Sequence, residues 1–105
     1  MALTRGDFRC SGVQTNLQVI AAPAAGTRIE LLRLTLTVDA QSDITLSNGN
    51  DASGRRIVDQ FFGPRGGVGL DYMADGGYPL DAATALRITS SAGNVRVVYE
   101  YRVTK

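Results

Sequence analysis

From residue 95 to residue 103 the side chains alternate. Val95, Val97, Tyr99, Tyr101 and Val103 share one parity, while Arg96, Glu100 and Arg102 share the other, with Val98 the exception. A period of two marks a strand with one face on a core and the other in water. Just upstream, Leu86 and Ile88 alternate with Arg87 and Thr89. The link Ser90-Ser91-Ala92-Gly93-Asn94 carries a glycine free to take positive φ, so the two runs are expected to form a hairpin.

The central run changes phase. Ile29 and Leu31 share one parity, but Leu32, Leu34, Leu36 and Val38 share the other, so a β-bulge or bend is expected at Leu31-Leu32. The β-branched residues and the strict alternation after Leu32 argue against a helix here. Residues 42–47, with Ile44 and Leu46, read as a strand after the turn Asp39-Ala40-Gln41-Ser42. Residues 48–54 are rich in turn formers. Residues 57–62 are apolar on both parities, as in a strand covered on both sides, and residues 68–72 form a short strand. Near the start, Val13, Leu17 and Val19 alternate with Gln14, Asn16 and Gln18. The expectation is an all-β chain, an antiparallel β-sandwich of jelly-roll type with about seven or eight short strands.

At 105 residues the chain has room for a single domain over residues 1–105. A net charge of +1 sets up no global field toward nucleic acid or an anionic membrane, and neither partner is expected. Ten of the eleven basic residues are Arg, which forms planar, bidentate carboxylate pairs and suits protein interfaces; Arg-favouring codon usage explains the same skew. Cys10 stands alone, so no intrachain disulfide forms. Residues 1–7 lack the apolar core of a signal peptide, and the uncharged stretch 11–27 is broken by Gln14, Asn16, Gln18 and Pro23. A soluble protein made in the cytoplasm is expected.

Catalytic chemistry finds few candidates. There is no His, and the sole Lys is Lys105. That removes His-based triads, His-ligated metals and the commonest general base. The carboxylates Asp39 with Asp43, and Asp71 with Asp75 and Asp81, read as turn caps rather than a glycosidase pair. No enzyme, catalytic residue or cofactor is expected. Asn48, Asn50, Asp51 and Asp43 are hard oxygen donors for calcium, but their spacing is not that of an EF-hand, and no metal site is expected. Gly63-Pro64-Arg65-Gly66-Gly67-Val68-Gly69 lacks the Lys and hydroxyl residue of a phosphate loop. Arg55, Arg56 and Arg65 flank Phe61 and Phe62, a combination that suits a protein contact better than nucleic acid, given Asp51 and Asp59 beside it. Arg5-Gly6-Asp7 spells the integrin-binding tripeptide, and no function is assigned to it.

Several stretches carry a resemblance: the residue 13–20 strand, the link Ala21-Ala22-Pro23-Ala24-Ala25-Gly26-Thr27, and the opening Arg28-Ile29-Glu30-Leu31-Leu32. Tyr78-Pro79-Leu80, Ala85-Leu86-Arg87-Ile88 and the closing Val-Arg-Val-Val-Tyr strand add to it. Over about residues 11–103 the chain resembles the small jelly-roll or β-sandwich structural proteins of tailed phages, including capsid decoration (cement) proteins and related virion subunits. The resemblance is one of sequence style, without a diagnostic motif. It implies a homotrimer on the capsid surface of a virion, with the major capsid protein as partner and no chemistry. It makes residues 1–10 an N-terminal arm anchored by Leu3 and Phe8, and makes Arg55, Arg56, Phe61, Phe62 and Arg65 a second contact region. A tail or host-adhesion subunit shares these features. A carbohydrate-binding β-sandwich is a further alternative, although the chain has no Trp and only Tyr72 and Tyr78 lie off the apolar strand faces.

Overall fold

The computed structural model describes residues 3–49 and 56–105. Among the described residues nine strands follow one another: β1 Thr4–Ser11, β2 Gln14–Ile20, β3 Arg28–Val38, β4 Ser42–Asn48, β5 Arg56–Phe62, β6 Gly67–Asp71, β7 Tyr78–Pro79, β8 Leu86–Ser90 and β9 Asn94–Thr104. One 3-10 turn, Met73–Asp75, is the sole helical element among the described residues.

The strands form two sheets, in the orders β1-β9-β3-β6 and β2-β8-β4-β5, with β7 also pairing β3. All pairs are antiparallel. The order follows from folding the chain on itself as one long hairpin and rolling it. β4 pairs β5 at the bend, β3 pairs β6, β2 pairs β8 and β1 pairs β9; the rolled edges then join through β3–β9 and β4–β8. This is a jelly roll.

Parity decides what goes inside. From the first sheet Ile29, Leu31, Leu34, Leu36, Val95 and Val97 point inward, and from the second Ile44, Leu46, Val58, Phe62, Leu86 and Ile88 meet them. Each large side chain so buried stabilises the fold by roughly 1.5–3 kcal/mol. The phase flip in β3 is a bulge. Leu31 faces Tyr101 and Arg33 faces Glu100, so Leu32 is the extra residue and both leucines are buried.

Four expectations differ from the structure. β8 and β9 do not form a hairpin, because β8 lies in one sheet and β9 in the other. The Gly93 turn instead carries the chain between layers, pinned by Gly12 N–H to Gly93 O at 2.8 Å and Ser91 N–H to Asp43 O at 3.2 Å. Residues 57–62 are not covered on both sides: β5 is an edge strand, with Val58 and Phe62 inside and Asp59, Gln60 and Phe61 exposed. Residues 4–10 are not an arm preceding the sandwich, since β1 pairs β9 over eight positions. Val13 does not reach the core. It is 74% exposed, because register shifts around Asn16 (φ 50°) reset the phase of β2.

Candidate functional site

The outer face of the β1-β9-β3-β6 sheet carries the densest chemistry. Outward residues sit in rows across the strands. One row runs Arg5–Glu100–Arg33–Asp71, so charge alternates over four strands. Arg5 Nε donates to Glu100 Oε2 at 2.9 Å, and Arg33 lies 3.6 Å from Asp71. Beyond it Arg102 pairs with Glu30 and donates to Gly76 O at 2.9 Å. On the other side comes a low row of Asp7, Val98, Thr35 and Gly69, and then Arg9, Arg96, Thr37 and Gly67. Apart from the part-buried Arg102–Glu30 pair the ion pairs are exposed, so each of those contributes little to stability, but together they hold the side chains in a defined array.

The last row breaks the alternation. Arg9 and Arg96 are direct cross-strand partners, an unfavourable placement of like charges. Asp7 relieves it. Its Oδ1 accepts from Arg96 Nε at 3.1 Å, its Oδ2 from Arg96 Nη2 at 2.9 Å, and Arg9 Nη2 approaches Oδ2 at 3.4 Å. The Arg96 fork, with Arg9 behind it, holds the Asp7 carboxyl below the usual carboxylate range.

Next to this row the sheet opens into a groove of about 750 Å³, lined by Arg9, Ser11, Thr37, Asp39, Arg65 and Arg96 among others. Asp39 is committed to the fold. Its Oδ1 accepts the Asn94 backbone N–H and its Oδ2 the Asn94 side-chain amide, both at 2.7 Å, and these bonds hold its carboxyl down. Cys10 also lines the groove, but burial pushes its thiol up, so it does not offer a ready thiolate. Arg65 comes from the β5–β6 connection. Gly66 N–H bonds Gly63 O at 3.0 Å across a turn with Pro64 second and Arg65 third. Arg65 has φ 62°, where a type II turn prefers Gly.

The contact residues expected from the sequence are scattered by the fold. Leu3 is 47% exposed beside the start of β1. Phe8 points inward and packs on the core. Phe62 is a core residue, 4% exposed opposite Ser42, and offers no surface. Phe61 is 59% exposed on the outer face of the β2-β8-β4-β5 sheet, next to Asp43. Arg56 is exposed there too and donates to Asp59 Oδ2 at 2.8 Å. Arg65 belongs to the opposite face, at the groove. Arg55 lies outside the described residues, as do the calcium candidates Asn50 and Asp51. Asp71 Oδ1 accepts the Met73 N–H at 2.9 Å as a local turn cap, whereas Asn48 Oδ1 accepts the Asp81 N–H at 3.1 Å across 33 positions of chain and ties two segments together.

Sequence reasoning missed Arg9 and Arg96. Their outward parity was legible, but their juxtaposition depends on the β1–β9 register. Among the described residues no group of three or more His, Cys, Asp or Glu gathers into a metal-binding cluster. No protein-family model matches the chain, and no curated protein matches it.

Proposed function

We propose that this protein is a non-enzymatic structural subunit of a virion, a decoration (cement) protein that seats on an assembled capsid lattice and stabilises it. The observation that carries the reading is the outer face of the β1-β9-β3-β6 sheet. Arg5, Arg9, Arg33, Arg96 and Arg102 are set out across it, with Asp7, Glu30, Asp71 and Glu100 between them. Arg is favoured at protein interfaces, and side chains already held in ion pairs lose less freedom on docking. A subunit that binds only the assembled shell stabilises it by mass action, and a trimer multiplies each weak contact. Phe61, exposed on an edge strand of the other sheet, supplies an apolar anchor for contacts between copies.

The test is native mass at low micromolar concentration, followed by co-sedimentation with tailed-phage capsids stripped of their own decoration subunits. A trimer of the 11.2 kDa chain that pellets with shells is the expected result. A monomer that stays in the supernatant with every shell overturns the reading. A trimer that ignores shells favours the tail or host-adhesion alternative. The glycan alternative has weak geometric support: the Tyr72 and Tyr78 rings are 5.1 Å apart but tilted by 40°, and both pack on the core rather than forming a flat platform.

A further inference from the structure

We infer that the groove bordered by Arg9, Arg65 and Arg96 is an anion site that takes a carboxylate-rich segment of a protein partner. The inference rests on the docking reading and names the chemistry of one contact within it. Three guanidinium groups line or edge the groove. Against them stand Asp7, shared between Arg9 and Arg96, and Asp39, whose two oxygens are taken by Asn94. Among the described residues no carboxylate pairs with Arg65, which leaves the groove with an excess of positive charge. Arg96 uses its Nε–Nη2 edge on Asp7, which leaves its Nη1 side open, and Arg9 makes only a long contact to the same carboxylate.

The turn geometry places the third cation. Arg65 occupies a left-handed conformation that costs an L-residue about 1 kcal/mol or more, in a turn with Gly63, Gly66 and Gly67 as neighbours. The turn sets a cation at the edge of a groove already edged by two others.

The groove's volume, about 750 Å³, suits several residues of extended peptide rather than a single small ion. Its surroundings disfavour a nucleic-acid backbone. Asp7, Asp39, Glu100 and Asp71 interrupt any continuous phosphate track over this face, and no aromatic ring lines the groove for base stacking. Protein carboxylates can be spaced to pass between the acidic positions and fork onto the arginines.

The test is fluorescence anisotropy with a labelled hexaglutamate peptide at low ionic strength, using the wild type, Arg65→Gly and Arg9→Gln. Arg65→Gly suits the turn's backbone, so the fold is retained, and a thermal melt on each variant verifies this. The expected result is peptide binding that weakens about fivefold or more in each variant and falls steeply as salt rises to about 0.15 M. Absence of wild-type binding, or equal binding by wild type and Arg65→Gly, overturns the inference. So does an oligothymidylate that displaces the peptide more strongly than unlabelled hexaglutamate does. Wild-type protein that co-sediments with shells but does not bind the peptide sinks the groove and leaves the docking reading standing.

Discussion

The ring of Tyr99 lies over Gly6, its direct partner across the β1–β9 ladder, so closely that a Cβ on Gly6 would sit 2.2 Å from the ring's Cζ. The ring replaces the side chain that Gly6 lacks and covers the backbone of an edge strand. Gly6→Ala therefore evicts the ring, at a cost of about 1 kcal/mol in lost aromatic packing, some of it against Tyr101. Gly67→Ala differs, because its Cβ would meet the Leu36 carbonyl oxygen at 2.3 Å, and backbone cannot swing away. We expect Gly67→Ala to cost more, toward 3 kcal/mol. Urea denaturation ranks the two, and adding Tyr99→Ala should remove the cost of Gly6→Ala but not of Gly67→Ala.

Ser42 is fully buried at the start of β4, and its hydroxyl has no hydrogen-bond partner among the described residues. An unsatisfied hydroxyl in an apolar core is a liability of about 1–3 kcal/mol. Ser42→Ala is expected to leave stability unchanged or to raise it by up to about 1 kcal/mol, read from the urea midpoint at constant m-value. A loss of more than about 1 kcal/mol would show that the hydroxyl is satisfied after all.

Asp39 ties the turn after β3 to the first residue of β9, and the Asn94 bonds lower its carboxyl in the fold. A group whose pKa is depressed by folding stabilises above its unfolded value, near 4, and that stability is lost as pH falls through the folded value. Asp39→Ala is expected to be less stable than wild type at neutral pH, and the gap between the two stability curves should narrow as pH falls below the unfolded carboxylate value and through the lower folded one. Parallel curves across the acid range would refute the linkage.

Arg65→Gly weighs two opposing effects. Removing the side chain relieves about 1–2 kcal/mol of left-handed strain. Glycine's extra freedom in the unfolded chain returns about 0.5–1 kcal/mol of it. The variant is expected to be as stable as wild type or up to about 1 kcal/mol more stable in thermal melts. Destabilisation beyond about 1 kcal/mol would mean that the arginine holds the turn together.

Local patterns carried much of the fold. The β3 bulge could be read because Leu31 and Leu32 break parity, and the class followed from repeated short alternating runs. What stayed hidden was the partner of each strand. The Ser90-to-Asn94 link has the residues of a hairpin turn, yet those same residues serve a turn that changes sheets. Among the described strands, β4 and β5 are the one consecutive pair joined to each other. In residues 57–62, adjacent phenylalanines necessarily face opposite sides, so Phe61 and Phe62 could not both be contacts. The Arg9–Arg96 juxtaposition needed the β1–β9 register, which no local pattern encodes.

The closure of first strand on last has a cost in time. β1 lies at the edge of its sheet and, among the described strands, pairs with β9 alone, so Arg5 and Glu100 meet across 95 positions of chain. β9 is also one of the two flanks of β3. During synthesis, at roughly 5–20 residues per second, the leucine-rich β3 waits several seconds for the strand that shields it. Pairing so distant in sequence is intrinsically slow, so a nascent chain carries an open, apolar edge for much of its assembly. Newly made chains are therefore expected to be the most aggregation-prone form of the molecule.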